Sequence, residues 1–274
     1  MNKLKDYYEG KVILVTGGAG SIGREIVRKL LEFEPSAIRV LDNNETGLFE
    51  LEHSLNSDKI RPLVGDIRDL DRLRRAIEGV DIVFHAAALK HVPLCEYNPF
   101  EAVKTNVIGT QNLIDAAIDE EVEKFITIST DKAVNPTSVL GATKLLAEKL
   151  TISANLHKGS RKTAFSCVRF GNVIGSRGSV IPLFIEQIRN GGPITITDPQ
   201  MTRFVMSIER AVELVLKAAR ISSGGEIFIL KMPALRVIDL AEVIITDFAK
   251  LYGANPERIE VKVIGRRPGE KLHE

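Results

Sequence analysis

Thr130, Asp131 and Lys132 stand in a row directly after a short β-branched run, Lys124–Ser129 (KFITIS). Together they offer a hydroxyl, a carboxylate and an amine, which can hold, give and take protons. The carboxyl end of a strand in an α/β sheet is where such groups meet a ligand. A second constellation carries its chemistry in the backbone. Gly17-Gly18-Ala19-Gly20-Ser21-Ile22-Gly23 fits GxGxxG from Gly18 and GxxGxxG from Gly17, closing one strand and opening a helix. Glycines let the chain turn tightly against a pyrophosphate, whose charge then rests on the helix N-terminus. Asp42 ends the second strand, 19 residues after Gly23. A carboxylate there accepts hydrogen bonds from adenosine ribose hydroxyls and repels a 2′-phosphate, so NAD is expected over NADP. Asp66 and Ile67 follow the third strand, where an acid can meet the adenine amino group, although Asp66 also suits a cap for a helix over Arg68–Glu78. Ala86, Ala87 and Ala88 follow the fourth strand and leave room for close approach of a cofactor.

These residues need a scaffold, and the chain supplies its signals. Lys11–Thr16, Ala37–Leu41, Arg61–Val64, Asp81–His85 and Lys124–Ser129 are strand-length apolar runs separated by helical patterns such as Ser21–Phe33. That alternation predicts an α/β fold: a Rossmann-like, doubly wound parallel sheet covered by helices on both faces. Beyond residue 171 the rhythm loosens into glycine- and proline-punctuated stretches. Helices are expected at Pro182–Asn190, Ile208–Ala219 and Val237–Tyr252, with a strand at Glu226–Leu230. We expect a dinucleotide-binding domain over 1–171, with part of 200–230 interleaved into it, and a smaller C-terminal substrate-binding lobe over 172–274.

Composition narrows the function class. With 37 Lys and Arg against 36 Asp and Glu, the 274-residue chain has no excess of positive charge to suit a dedicated nucleic-acid binder. Two cysteines, Cys95 and Cys167, make neither a disulfide framework nor a thiolate metal site, and five histidines without a spaced carboxylate cluster argue against any metal centre. The polar start (MNKLKDYYEG) lacks a signal-peptide apolar run, and no run reaches membrane-spanning length. A cytoplasmic enzyme without a membrane segment is the expectation. His85 and His91 are read as structural.

Specific strings then point to a family. TGGAGSIG (Thr16–Gly23), LDNNE (Leu41–Glu45), GDIRD (Gly65–Asp69), HAAALKHVP (His85–Pro93), ISTDKAVNPTSVLGATK (Ile128–Lys144), RFGNVIGSRGSVIPLF (Arg169–Phe184), TITDPQMTRFVMS (Thr195–Ser207) and RPGEKLHE (Arg267–Glu274) run in order along nearly the whole chain. They resemble the extended short-chain dehydrogenase/reductases. The closer likeness is to nucleotide-sugar 4,6-dehydratases of the capsular-polysaccharide type, which act on UDP-N-acetylglucosamine. The likeness departs from the superfamily at Leu140, which stands four residues before Lys144 where a catalytic tyrosine is usual. Leucine exchanges no proton, and some sugar dehydratases carry methionine there.

The resemblance implies an NAD-dependent dehydration of a UDP-sugar for polysaccharide or glycan synthesis. Hydride would leave sugar C4, a proton would leave C5, the C6 hydroxyl would depart as water, and hydride would return at C6. It implies Lys132 as the C5 base, Asp131 as the C6 acid and Thr130 at the C4 oxygen, with Lys144 holding the nicotinamide ribose and lowering the pKa of Lys132 by its charge. Asn43 beside Asp42, and Asn106 of KTNVIGT, would belong to the cofactor site. Lys90, Asn172, Ser179, Val180, Thr195, Arg203, Arg267 and Glu270 would belong to the UDP-sugar site, where arginine forks suit a diphosphate and backbone groups over Pro193–Thr195 suit uracil. A homo-oligomer is expected by analogy with the superfamily. Dehydration with C5 epimerisation, UDP-sugar 4-epimerisation, and a catalytically inactive nucleotide sensor are the alternatives. Relatives usually continue past the position of Glu274, and some carry an N-terminal membrane region.

Overall fold

The computed structural model describes residues 2–176 and 178–274. In chain order it runs α1 (Asn2–Tyr8), β1 (Val12–Thr16), α2 (Ser21–Leu31), β2 (Ala37–Asp42), α3 (Glu45–Leu55), β3 (Ile60–Val64), α4 (Leu70–Ile77), β4 (Ile82–His85), α5 (Val92–Tyr97) and α6 (Pro99–Val103). A π-helical turn, Lys104–Ile108, leads into α7 (Gly109–Asp119) and β5 (Lys124–Thr130), and a 3-10 turn, Asp131–Ala133, precedes α8 (Val139–His157). Then come β6 (Ala164–Phe170), β7 (Asn172–Val173), α9 (Val180–Arg189), β8 (Ile194–Ile196), β9 (Thr202–Met206), α10 (Ile208–Ile221), β10 (Ile227–Ile229), β11 (Ala234–Arg236), α11 (Val237–Phe248) and β12 (Val261–Val263).

The strand order of the main sheet is β10-β6-β5-β4-β1-β2-β3, and every pairing in it is parallel. Its side chains alternate between two cores, as period-2 geometry requires. Ile13, Val15, Phe84 and Ile126 face a core with α2 and α10, whereas Leu14, Val83 and Phe125 face one with α4 and α7. The expected parallel α/β sheet is therefore present, with strand bounds within a residue or so of those read from sequence. One of its strands, β6, was not anticipated. The helix after β3 starts later than expected, because Asp69 caps it: its side chain accepts the Arg72 N–H. Asp66 is not its cap.

β1 lies between β4 and β2, so the chain leaves β1 on one side and returns on the other. The crevice at the carboxyl ends of β1 and β4 is thus the topological switch point at which open α/β sheets bind ligands. From residue 172 onward, Phe184, Ile188, Ile194, Met201, Val237 and Ile244 form a third core. A three-stranded sheet, β11-β9-β7, and the pair β12-β8 frame this part.

Helix α8 forms the wall behind Thr130–Lys132. Ser138 caps it by accepting the Gly141 N–H at 3.0 Å. Gly141 is needed for its smallness: a Cβ there would lie 2.3 Å from the Lys132 carbonyl oxygen and 2.9 Å from Pro136 Cβ. Substituting Gly141→Ala is expected to push the Lys132 turn away from α8 and cost about 1–3 kcal/mol of stability, the usual penalty for overpacking. Urea unfolding of the variant checks this, and an unchanged midpoint would show that the turn is not held as tightly as the contacts imply.

Candidate active site

The glycine turn after β1 is packed too closely for side chains. Gly17 has φ +67°, and a Cβ on it would meet Ala87 N at 2.6 Å; one on Gly23 would meet the Gly17 carbonyl oxygen at 2.3 Å. The turn therefore lies flat against the end of β4 and opens α2 with Gly20, which brings no capping side chain. Gly17, Gly20, Ser21, Ile22, Gly23, Asp42, Asn43, Asp66, Ile67, Ala86, Ala87 and Ala88 all line one cavity of about 870 Å³, which also takes in Thr130, Lys132, Leu140 and Lys144. Within it, Asp42 is held by the turn itself: Oδ2 accepts the Ala19 N–H and Oδ1 the Asn44 N–H, both at 3.0 Å.

Asp66 has a partner that sequence reasoning missed. Arg68 donates to both of its oxygens, at 2.7 and 3.0 Å, and these hydrogen bonds hold the carboxyl below its usual range. Asn43 Nδ2 lies 3.5 Å from the same carboxylate. Within the cavity the Asp66 carboxylate is thus already paired with a cation. Asn106 needs a larger correction. It is buried and does not line the cavity: its amide donates to the Leu89 carbonyl and to Thr143 Oγ1 and accepts the Leu89 N–H. It pins the chain after β4 from behind. The π-helical turn that carries it gave no sequence signal. His85 is also locked, between Thr16 Oγ1 at 2.8 Å and Thr110 Oγ1 at 2.9 Å. Burial, reinforced by the Lys144 charge, pushes its pKa down to about 3, so it remains neutral.

Thr130, Asp131 and Lys132 form one hydrogen-bonded unit. Thr130 Oγ1 donates to Asp131 Oδ1 at 2.9 Å, and Lys132 Nζ donates to the same oxygen at 3.0 Å and to Asn172 Oδ1 at 3.2 Å. Thr130 and Lys132 line the cavity, whereas Asp131 is buried behind them and outside its lining. Asp131 Oδ2 is buried without a hydrogen-bond partner, and a Cβ on Gly171 would come within 2.7 Å of it. Lys144 Nζ donates to the Ile128 carbonyl at 2.6 Å. Leu140, one turn earlier on α8, is buried against Cys95 and Ala102.

A second cavity of about 270 Å³ adjoins the first and shares Lys90, His91, Lys132, Asn172, Gly178 and Ser179 with it. Val180, Thr195, Arg203, Arg267 and Glu270 line it. Ser179 Oγ is buried there without a hydrogen-bond partner. The backbone at Thr195 is less available than expected, because its N–H donates to Gln187 Oε1. Arg203 is likewise engaged, donating to the carbonyls of Thr202, Leu272 and Lys271. Glu274, which sequence reasoning passed over, puts its carboxylate 3.3 Å from Lys132 Nζ. Among the described residues, no group of three or more His, Cys, Asp or Glu could hold a metal ion, and no helix is long and apolar enough to cross a membrane.

Comparison with known proteins places this geometry. A family described as polysaccharide biosynthesis protein matches residues 13–274. A Methanocaldococcus jannaschii protein named uncharacterized membrane protein MJ1061 is 72% identical over 271 residues, 99% of this chain and 81% of its own length. A Campylobacter jejuni UDP-N-acetylglucosamine 4,6-dehydratase (inverting) is 45% identical over 97% of this chain and 77% of its own length. A Rickettsia rickettsii protein named UDP-glucose 4-epimerase is 42% identical over 96% of this chain and 76% of its own length. Among solved structures, the dTDP-glucose 4,6-dehydratase DesIV of Streptomyces venezuelae, with NAD and TYD bound, superposes with a TM-score of 0.84 at 25% identity, covering 96% of this chain and 87% of that one.

The buried Lys144 ammonium has a consequence for stability. Burial pushes its pKa down to about 8, against the favourable influence of Cys167 and Glu148. Below pH 8 the folded protein carries the full cost of a desolvated ammonium. As pH rises from 8 towards 10.5 the folded state sheds this proton before the unfolded state does, so the contribution to stability increases. Relative to Lys144→Met, the wild type should therefore gain up to about 3 kcal/mol of unfolding free energy between pH 7.5 and 10.5. Urea unfolding across that range tests this, and parallel pH curves for the two proteins would contradict it.

Proposed function

The chain belongs to the polysaccharide biosynthesis protein family, and from that premise we propose that it is an NAD-dependent nucleotide-sugar 4,6-dehydratase acting on UDP-N-acetylglucosamine. The observation that carries this reading is the position of Thr130 and Lys132, which line the cavity of the glycine turn where it adjoins the cavity of Arg203 and Arg267. A sugar joined to a diphosphate in the smaller cavity would then face a dinucleotide in the larger one.

The residues present fit a dinucleotide. The turn at Gly17 and Gly23 leaves no space for a Cβ, α2 presents its N-terminus, and Asp42 is fixed by backbone amides. Gly17, Gly20, Ser21, Ile22 and Gly23 would hold the pyrophosphate. Asp42 and Asn43 would hold the adenosine ribose, Asp66 and Ile67 the adenine edge, Ala86 to Ala88 the ring faces and Lys144 the nicotinamide ribose. A bound NAD supplies the hydride acceptor and donor that makes the conversion redox-neutral.

Lys132 would take the C5 proton, and its amine must shed a proton before it can do so. Thr130 would bind the C4 oxygen. Asp131 lies behind both residues, so we assign it the C4 hydroxyl proton. This proton would be taken up through the Thr130 hydroxyl, with which Asp131 already shares a hydrogen bond of 2.9 Å, and returned by the same route to the C6 hydroxyl as that leaves as water. The unpartnered Oδ2 leaves Asp131 a second oxygen on which to hold a proton. This modifies the direct C6-acid role that the resemblance implies. The sum is loss of water from the sugar, giving a UDP-4-keto-6-deoxyhexosamine. Arg267 and Arg203 would receive the diphosphate, with Lys90, Asn172, Ser179, Val180, Thr195 and Glu270 completing the UDP-sugar contacts.

The relative named UDP-glucose 4-epimerase supports a second reading, epimerisation at C4. Leu140 weighs against it, because a buried leucine cannot exchange the C4 hydroxyl proton as a tyrosine would.

Incubation of the protein with UDP-N-acetylglucosamine in deuterated water, followed by NMR, tests the proposal. The expected product has a C6 methyl, a C4 ketone and deuterium at C5, and the C5 configuration reports retention or inversion. A C4 epimer that keeps its C6 hydroxyl would establish the epimerase instead. Lys132→Ala should lower turnover at least 100-fold, and undiminished turnover would remove Lys132 as the base. For the cofactor, Asp42 predicts at least tenfold tighter binding of NAD than of NADP by titration calorimetry, and equal affinities would refute its assigned role.

A further inference from the structure

Glu274 is a residue to which the family strings assign no role, yet its side chain is only 2% exposed and sits among three cations. Its Oε1 lies 3.3 Å from Lys132 Nζ and 4.0 Å from Arg203 Nε, and its Oε2 lies 3.3 Å from Lys271 Nζ. A carboxylate removed from water to this degree is retained only where nearby charge repays its desolvation.

The segment that carries it is laced in place. Thr202 N donates to the Leu272 carbonyl at 3.1 Å, Thr202 Oγ1 meets His273 Nδ1 at 2.8 Å, and Arg203 donates to the carbonyls of Lys271 and Leu272. Lys271 Nζ reaches across to the Val134 carbonyl at 2.6 Å, just after the turn that bears Lys132. The segment therefore ties β9 to the catalytic turn, with Glu274 where the two meet.

As an ammonium Lys132 has three N–H donors; as the neutral base it keeps two and presents a lone pair to the substrate. Around Lys132 Nζ stand three acceptors: Asp131 Oδ1 at 3.0 Å, Asn172 Oδ1 at 3.2 Å and Glu274 Oε1 at 3.3 Å. Each comes from a different part of the chain, so any two that hold the neutral amine's donors fix where its lone pair points. We infer that Glu274 is a positioning residue for Lys132, holding its amine at the junction of the two cavities. The inference rests on the reading of Lys132 as the C5 base. Glu274 acts through Lys132 and touches no reacting atom. A misplacement of about 1 Å in such a group can cost on the order of 100-fold in rate.

Two measurements on the intact chain test this, and the first needs no turnover. Reductive methylation with formaldehyde and dimethylamine–borane, read at Lys132 by peptide mass spectrometry, reports whether the amine is held. Glu274→Gln keeps the volume and removes the charge, and it should methylate Lys132 at least threefold faster than wild type. An unchanged rate, or a faster rate only in Glu274→Ala, would reduce Glu274 to steric cover and overturn the inference. The second measurement is steady-state dehydration. Glu274→Gln should lower kcat at least tenfold with KM within threefold of wild type, and Glu274→Asp should recover part of the loss. Unchanged kcat, or a raised KM at constant kcat, would overturn the positioning role. If wild type does not turn over UDP-N-acetylglucosamine, the dehydratase reading fails, and the methylation rates still decide whether Glu274 holds Lys132.

Discussion

A buried ion pair beneath the Thr130–Lys132 turn fixes the geometry on which the candidate site depends. Glu148 is fully buried on α8, accepts both Nε and Nη2 of Arg169 from β6, and accepts the Ser129 hydroxyl from β5. Ser129 and Arg169 are register partners in the sheet, so one carboxylate clamps two adjacent strands to one helix. Replacing one partner alone would strand a charge in the core, which is far more costly than exchanging the whole group for apolar residues. The pair thus ties the register of β5 and β6 to α8. What this register specifies is the site: Thr130 follows Ser129, and Lys144 precedes Glu148 by one turn of α8. Slippage of β5 against β6 would displace both.

The same arrangement bears on how the proposed chemistry would run without a tyrosine on α8. With Leu140 packed into an apolar cluster beside Cys95 and Ala102, the helix supplies a cation, Lys144, and no proton donor of its own in the tyrosine position. In the proposed reaction the acid–base groups would come instead from the strand end. Thr130 and Lys132 converge on Asp131 Oδ1, so the turn carries its own hydrogen-bonded set and needs α8 chiefly as a backstop. That division fits the close packing at Gly141, where a single methyl group would displace the Lys132 carbonyl.

The legible parts of the sequence were those where one residue type answers one local demand. Runs such as VILVT and IVFH announce strands buried on both faces, and the glycine turn has a spacing that few other demands produce. β6 escaped notice because its interior carries Ser166, Cys167 and Arg169, a polar pattern that reads as a surface loop. Each polar member is satisfied inside the fold, Ser166 by Ser222 and Glu226, and Arg169 by Glu148. Asn106 was recognisable as a residue with a task, but the task is structural support of Leu89, which only the three-dimensional path of the chain reveals. Asp66 looked like a cap because acids commonly begin helices; Asp69, three residues on, had the geometry.

Charge gives the clearest case of information that sequence hides. A balance of 37 against 36 says nothing of a local positive site, yet Lys132, Arg203 and Lys271 converge on one small volume. Such a cluster would repel itself without compensation. The chain supplies that compensation from within, through the Glu274 carboxylate and the carbonyls of residues 271 and 272. Arg267 differs: its side chain is exposed, with its N–H bonded to Glu270. An anionic ligand entering the smaller cavity would therefore meet Arg267 first. Those carbonyls occupy only part of the N–H donors of Arg203, so under the proposed reading a diphosphate, whose several oxygens accept more than one fork at once, would bind there together with Arg267.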